Sequence, residues 1–304
     1  MVTMNEKPVP PVFAPEPDQP QGAPAQGEGR SAYGGMSAQE TVDAYLGRLR
    51  SIKAQSIALV IANAVAMVWF IERGHVALYF FGFVLLFAIV LIARARMASL
   101  FVKLSEVVSQ DCDPARYRAV LDVLSARDRF GRSANAIAIE LAYCDYLELD
   151  SAGALSRLGS VSFKRPDNPR WFRVMQVEFL SRVDTGDLDG ARDTLSRLSA
   201  FRTSFKEGSR NRAVIDSQIA DFTVLVRPPA ERDAADAARM RERMALADYH
   251  QQRANWQLYL AEYELLHGSP EEAARLASDA FLEPLTPRME RLRADVLSGL
   301  EVSA

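Results

Sequence analysis

Two long runs of apolar residues dominate the hydrophobic pattern of this chain. Residues 54–71 and residues 76–93 each form a run of eighteen positions without a charge, and only residues 72–75 separate them. As α-helices such runs are about 27 Å long, close to the thickness of the hydrocarbon core of a bilayer. The pattern predicts a transmembrane helical hairpin over residues 54–93. A buried hairpin in a soluble core is the alternative, but such helices normally keep a polar stripe, which the second run lacks.

Basic residues at the outer ends of the hairpin predict its orientation. Six of them flank the two runs: Arg48, Arg50, Lys53, Arg94, Arg96 and Lys103. The connecting loop carries only Arg73, next to Glu72. Because basic residues accumulate on the cytoplasmic side, we expect an integral membrane protein in the lipid bilayer with both termini in the cytoplasm. The Ala- and Arg-rich composition further suggests a bacterial plasma membrane.

Small and polar residues within the runs predict how the hairpin packs. Ala58, Ala62 and Ala66 recur every four residues, a spacing that lets another helix approach closely. The nearest such helix is the second run, around Gly82, and the stripe also offers a surface for homo- or hetero-oligomers. Asn63 is the amide in the middle of the first span, where a polar side chain usually finds a partner inside the bundle.

The regions outside the hairpin differ in composition. Residues 1–36 are rich in proline and glycine and are expected to form a disordered tail, because they bury too little apolar surface to offset their ordering entropy. Residues 37–53 predict a short amphipathic helix with a capping box at its start. Residues 94–110 predict a juxtamembrane helix, and residues 111–304 predict a helical domain without strands.

The helical domain contains two similar turns. Segments 186–191 and 268–273 each combine a glycine, acidic residues and an alanine. Four aligned alanines are 37, 46 and 36 residues apart: Ala154, Ala191, Ala237 and Ala273. With these turns, residues 133–284 resemble the tetratricopeptide-like family of helical repeats. The resemblance implies a right-handed stack of antiparallel helix pairs with a concave protein-binding face, and an irregular helical bundle is the alternative.

Composition and motifs point away from catalysis and nucleic-acid binding. The net charge of -3 and the pI of about 5.8 show no excess of basic residues for nucleic acid. No phosphate-binding loop, zinc motif or nucleophile motif occurs, so no catalytic, metal-binding or cofactor-binding residue is predicted. Cys112 and Cys144 are expected to be reduced structural thiols.

Arginine is used unusually often in the helical domain. Residues 111–304 contain 25 Arg and 2 Lys against 31 acidic residues. Biased codon usage is one explanation, and the other is a groove whose guanidinium groups bind carboxylates or phosphates of a partner. The residues predicted for this partner site are Arg165, Arg170, Trp171, Arg173, Arg202, Arg210 and Arg212. Trp256 and Tyr259 are further candidate aromatic anchors.

Three functions remain open from the sequence. The main prediction is a membrane-anchored scaffold or adaptor that presents the helical domain to a protein or peptide client on the cytoplasmic side. The second is a structural subunit of a multi-component membrane complex for secretion or envelope assembly, with the alanine stripe as its interface. The third is an enzyme with an unfamiliar site, which requires perturbed titratable groups clustered in a pocket.

Overall fold

All regular structure in the described part of the chain is helical. The structure is a computed structural model that describes residues 31–128, 131 and 133–303, and it contains twelve α-helices and two short 3-10 helices. The predicted all-α class is therefore confirmed for these residues. Of the predicted tail, residues 1–30 lie outside the described part of the chain.

The first two helices are longer than the predicted spans. Helix α1 covers Ala38–Glu72 and helix α2 covers Val76–Ser109, with 35 and 34 residues, so each is about 50 Å long. The predicted short helix over residues 37–53 is thus not separate from the first span. The second span likewise continues through residues 94–110. Neither junction contains a proline or a glycine that would interrupt the helical hydrogen bonds.

One seam of side chains holds α1 and α2 together as an antiparallel hairpin. The seam residues recur at intervals of three and four, as in a coiled coil. In the apolar halves they are Ser56, Val60, Asn63 and Met67 of α1 and Gly82, Leu86, Ile89 and Ala93 of α2. At Gly82 the helices lie so close that a Cβ atom would overlap the Met67 side chain. A side chain at this position would force the Met67 side chain to move.

The halves of α1 and α2 next to the connecting loop expose their outer faces. We call them the bare halves of the hairpin. Both helices are long and apolar enough to cross a membrane, and only 11% of the apolar eighteen-residue stretch of each is buried. The exposed side chains include Ile61, Val65, Phe80, Phe81 and Val84. A core helix of a soluble domain would be mostly covered, so these halves are not core helices within the described structure.

The other halves of α1 and α2 belong to the core of the helical domain. That core contains Val42, Tyr45 and Leu46 of α1 and Leu100, Leu104, Val107 and Val108 of α2. They pack in one cluster with Tyr117, Val120 and Leu121. The structure therefore differs from the predicted domain boundary at residue 111, because the hairpin supplies a large share of the apolar surface that the domain buries.

The segment before α1 is fastened to the start of the domain. Asp111 accepts hydrogen bonds from the backbone N–H of Ser31, at 2.9 Å, and from the Ser31 hydroxyl. The Arg116 guanidinium donates to the carbonyl oxygens of Tyr33, at 3.2 Å, and Met36, at 2.9 Å. Because Tyr33 is also fully buried, this part of the predicted tail is instead an ordered strap over the core.

Ten further helices complete the domain, and most of them pack against their neighbours in sequence. They are α3 (Pro114–Arg127), α4 (Ala134–Leu147), α5 (Ser151–Leu158), α6 (Arg170–Asp184), α7 (Leu188–Arg202), α8 (Arg210–Leu225), α9 (Ala234–Ala245), α10 (His250–His267), α11 (Pro270–Ala277) and α12 (Pro287–Ser303). The short 3-10 helices are Pro229–Glu231 and Ala280–Leu282.

Helices α5, α7, α9 and α11 begin in the same way. In each, the side chain of an Asp or Ser accepts a hydrogen bond from the backbone N–H three residues later, which satisfies a free donor at the helix start. The residue after this N–H donor is one of the aligned alanines, and each of the four is at most 1% exposed: Ala154, Ala191, Ala237 and Ala273. The small side chain leaves room for a neighbouring helix at the same position in all four.

The two ends of the domain contact each other. Helix α10 contacts α2, and helix α12 contacts both α4 and α10. The backbone N–H of His250 donates to Gln110 at 3.2 Å, while Arg288 pairs with Asp184 and lies 4.4 Å from the ring centre of Tyr146. In an open solenoid each repeat contacts only its neighbours. Here α12 bridges the early helix α4 and the late helix α10, so contacts extend beyond neighbouring helix pairs.

We predict that residues 111–304 alone do not fold, because this fragment lacks the α1 and α2 part of the core. A matched protein joins residues 31–53 to residues 95–303 through a glycine-rich turn of about four residues, a normal length for a helical hairpin. It keeps the core and loses the bare apolar halves, so it should be soluble and strongly helical by circular dichroism. A cooperative thermal transition in the shorter fragment would contradict the shared core.

Candidate functional site

Arginine–carboxylate pairs connect neighbouring helices of the domain. They are Arg118–Asp145 between α3 and α4, Arg157–Asp145 between α4 and α5, Arg173–Glu140 between α4 and α6, Arg197–Glu178 between α6 and α7, Arg202–Asp216 between α7 and α8, Arg239–Asp221 between α8 and α9, and Arg241–Glu264 between α9 and α10. Several of the carboxylates are almost fully buried, so their charges need these partners. The abundant arginines thus serve helix packing.

Arg173, which the sequence suggested for partner binding, is used inside the fold. Its guanidinium donates to both carboxylate oxygens of Glu140 at 3.2 Å and lies 4.1 Å from the ring centre of Tyr143. The Tyr143 hydroxyl in turn accepts a hydrogen bond from Gln251 at 2.8 Å. The predicted role of Arg173 in a partner groove therefore does not fit. Its charge is already paired with Glu140, and its guanidinium plane already packs on Tyr143.

The other predicted arginines divide between two separate connections. Arg202 at the end of α7 pairs with Asp216, and Arg212 in the first turn of α8 lies 3.9 Å from Glu207. Arg210 begins α8 and also interacts within the chain. These three therefore belong to the α7–α8 connection and do not join one groove with the residues before α6. The suggested anchors Trp256 and Tyr259 are buried core residues.

Arg165 and Trp171 meet beside a cavity of about 590 Å³. Its lining residues are Asn135, Ser162, Phe163, Lys164, Arg165 and Asn168. The Trp171 indole donates to the carbonyl oxygen of Arg165 at 3.3 Å and packs edge-on against Phe163, while the backbone N–H of Arg170 donates to Asn168 at 3.0 Å. No acidic residue is among the described residues that line this α5–α6 cavity, so its amides and cations suit a carboxylate ligand.

The strongly perturbed titratable groups lie between packed helices. Burial raises the pKa of Cys112 to about 12, with Asp111 and Glu283 adding to the shift. Burial also raises the pKa of Cys144 and of Tyr117 well above their ordinary values. None of the three lines the α5–α6 cavity, and the described residues contain no group of His, Cys, Asp and Glu that could hold a metal ion.

The predicted packing residues of the hairpin lie on two different faces. Asn63 is buried, and its amide donates to the carbonyl oxygen of Gly82 at 3.0 Å across the seam. Ala58 and Ala62 are exposed and Ala66 is half-buried. The alanine stripe therefore does not make the close contact with α2. Residues one or two positions away form the seam, and Ala58 and Ala62 face outward.

Exposed basic side chains lie along both helices where the bare halves meet the domain. We call Arg50, Lys53, Arg94, Arg96 and Lys103 the basic collar. All five are exposed or partly so, and none forms an ion pair within the described part of the chain. Arg48 differs, because its guanidinium lies 5.0 Å from the ring centre of Tyr33. The collar contrasts with the domain, where arginines are paired with carboxylates helix after helix.

The fold and these surfaces define an all-helical protein with two candidate membrane helices and a packed helical domain. Comparison of the chain with protein-family profiles, with curated proteins and with solved structures gives no match.

We predict that Arg173→Ala lowers the free energy of unfolding by about 3–5 kcal/mol, because it leaves the buried Glu140 carboxylate without its partner. The double variant Arg173→Met/Glu140→Leu should recover most of this loss. Arg192→Ala is the control, since Arg192 pairs with Asp189 on an exposed surface, where ion pairs contribute little. Denaturant unfolding of the full chain in detergent micelles measures the free energy of unfolding of all three variants. Equal decreases for Arg173→Ala and Arg192→Ala would contradict the buried pair.

Proposed function

We propose that this protein is a membrane-anchored scaffold whose helical domain binds a protein client at the cytoplasmic face of a bacterial plasma membrane. The observation that carries the proposal is the hairpin of α1 and α2. One half exposes apolar side chains on its outer faces, and the other half is part of the domain core. Lipid is the solvent that such a surface requires, because exposed apolar patches of this size are avoided in water.

The basic collar supports an orientation with both termini in the cytoplasm. Its five residues lie at the domain end of the hairpin, whereas the connecting loop has Arg73 beside Glu72. Cations in this position interact with anionic lipid head groups and stay on the cytoplasmic side during insertion. Because the collar residues lack ion-pair partners within the described residues, their charges are available to the membrane surface.

We further propose that the domain is a degenerate tetratricopeptide-like array of four helix pairs, α4/α5 through α10/α11. The support is the register of the capped second helices. Each has a buried alanine directly after the residue that donates to the cap, although the spacing between these alanines varies from 36 to 46 residues. Helices α1 to α3 then cover one end of the array and α12 covers the other.

The client site in this proposal is the α5–α6 cavity. Its lining residues are exposed or half-buried, so a client can reach them. Lys164 and Arg165 supply positive charge, Asn135 and Asn168 supply hydrogen bonds, and Phe163 supplies an apolar floor. This combination favours an acidic peptide segment with an apolar side chain.

A structural subunit of a larger membrane complex is the second candidate function. The outward position of Ala58 and Ala62 on the bare half of α1 favours it. Small residues on an exposed membrane helix permit the close approach of another helix. In this case the hairpin itself, and not the α5–α6 cavity, is the interface with the partner.

Membrane topology is testable with single introduced cysteines. The native thiols of Cys112 and Cys144 are buried and have raised pKa values, so they should not react with maleimides in the folded protein. His75→Cys in the loop should be labelled by an impermeant maleimide on intact cells, whereas Val302→Cys should be labelled only after lysis. The reverse pattern would contradict the orientation, and release of the chain by alkaline carbonate would contradict insertion.

One pair of variants distinguishes the two candidate functions. The full chain is crosslinked in cells and its complexes are isolated in detergent. For a scaffold, Lys164→Glu should reduce the recovered client at least about tenfold, since it replaces attraction by repulsion, whereas Ala62→Ile should leave it unchanged. For a complex subunit, Ala62→Ile should reduce the recovered partner and Lys164→Glu should leave it unchanged. Arg192→Glu, a charge reversal at an exposed residue that does not line the α5–α6 cavity, is the control, and a loss of partners in all three variants would count against both assignments.

A further inference from the structure

A groove runs along one side of the hairpin at the domain end of its bare half. It has a volume of about 280 Å³. One wall is α1 at Ile57, Val60 and Ile61, and the other wall is α2 at Val90, Ala93 and Arg94. The groove therefore lies at the depth where the predicted spans end and the basic collar begins.

The walls of the groove are apolar, and its charged end is cationic. Ser56 also lines it, but the Ser56 hydroxyl donates to the carbonyl oxygen of Ile52 at 2.7 Å and is satisfied within its own helix. Arg94 is the charged lining residue, and no acidic residue lines the groove within the described part of the chain. The groove thus offers a hydrocarbon-like slot with a positive charge at one end.

Helix geometry places a second cation at the same end. Lys53 precedes Ile57 by four residues and Val60 by seven, so it lies on the α1 face that forms the wall. Arg96 follows Arg94 by two residues, a rotation of about 200° around the helix, and therefore lies away from the groove. Lys53 and Arg94 form a pair of cations at the mouth of the slot, one from each wall.

We propose that this groove is a binding site for one anionic phospholipid. An acyl chain packs between α1 and α2, and the phosphate of the head group accepts hydrogen bonds from Arg94 and Lys53. The shape matches an amphipathic ligand that is apolar at one end and negatively charged at the other. A second copy of the hairpin is a poorer occupant, because its own collar would bring cations against Arg94 and Lys53.

The inference rests on the proposed membrane insertion and adds a specific lipid site to it. The test incorporates the full chain into nanodiscs of equal amounts of phosphatidylcholine and phosphatidylglycerol. The protein is then transferred to neutral detergent, and retained lipid is counted by native mass spectrometry. We expect one retained phosphatidylglycerol per chain and no comparable retention of phosphatidylcholine.

Three variants locate the site. Arg94→Gln should lower phosphatidylglycerol retention about tenfold, the effect of losing one charge-assisted hydrogen bond. Arg96→Gln removes the same charge two residues away and should change retention less than about twofold. Val90→Phe fills the groove, leaves every charge in place, and should also lower retention.

Equal losses in Arg94→Gln and Arg96→Gln would overturn the proposal, since they would indicate diffuse attraction to the collar. Equal retention of the two lipids, or unchanged retention in Val90→Phe, would overturn it as well. A chain that enters nanodiscs but retains no phosphatidylglycerol refutes the lipid site alone. A chain that does not enter nanodiscs refutes the membrane anchor together with it.

Discussion

The seam between α1 and α2 is the contact on which the rest of the structure depends. It runs from Tyr45 and Leu46 near the domain to Asn63 and Met67 in the bare half, and the seam positions of α1 between them are half-buried. At one end the seam closes the hairpin through the Asn63 amide and the bare backbone of Gly82. At the other end the same two helices complete the core around Tyr117. Because no flexible linker separates these ends, the domain has a fixed orientation relative to its apolar hairpin.

The charged residues of the domain and of the basic collar also differ in whether they are paired. In the domain, buried carboxylates such as Asp145, Glu140 and Asp221 each bind arginines from a neighbouring helix. Such pairs add specificity more than net stability, since desolvation offsets much of their attraction. In the collar, by contrast, the cations have no protein partner within the described residues. The collar cations are therefore available to the proposed membrane surface.

Local sequence patterns predict the helices but do not predict which residues of different helices contact each other. Charge-free runs predict two long apolar helices, and the capping box predicted at the start of residues 37–53 is present at Ser37 and Glu40. The partners of Arg173 and Arg288 could not be found in this way, because Glu140 and Asp184 lie 33 and 104 residues away. The strap at Tyr33 was missed because a short segment rich in glycine resembles a disordered tail. The face of the alanine stripe was missed because the seam follows Asn63 and Met67 instead.

Hydrogen exchange of the full chain in lipid nanodiscs tests most directly whether one continuous hairpin joins the membrane to the domain. Helices α1 and α2 carry unbroken backbone hydrogen bonds through residues 50–56 and 94–100, where the bare halves meet the core. The account predicts slow exchange through both segments and through residues 57–70 and 77–93, with fast exchange at the loop around Gly74. Fast exchange within 50–56 or 94–100 would reveal a hinge, and fast exchange across the apolar halves would show that they are not in lipid; either result would contradict the account.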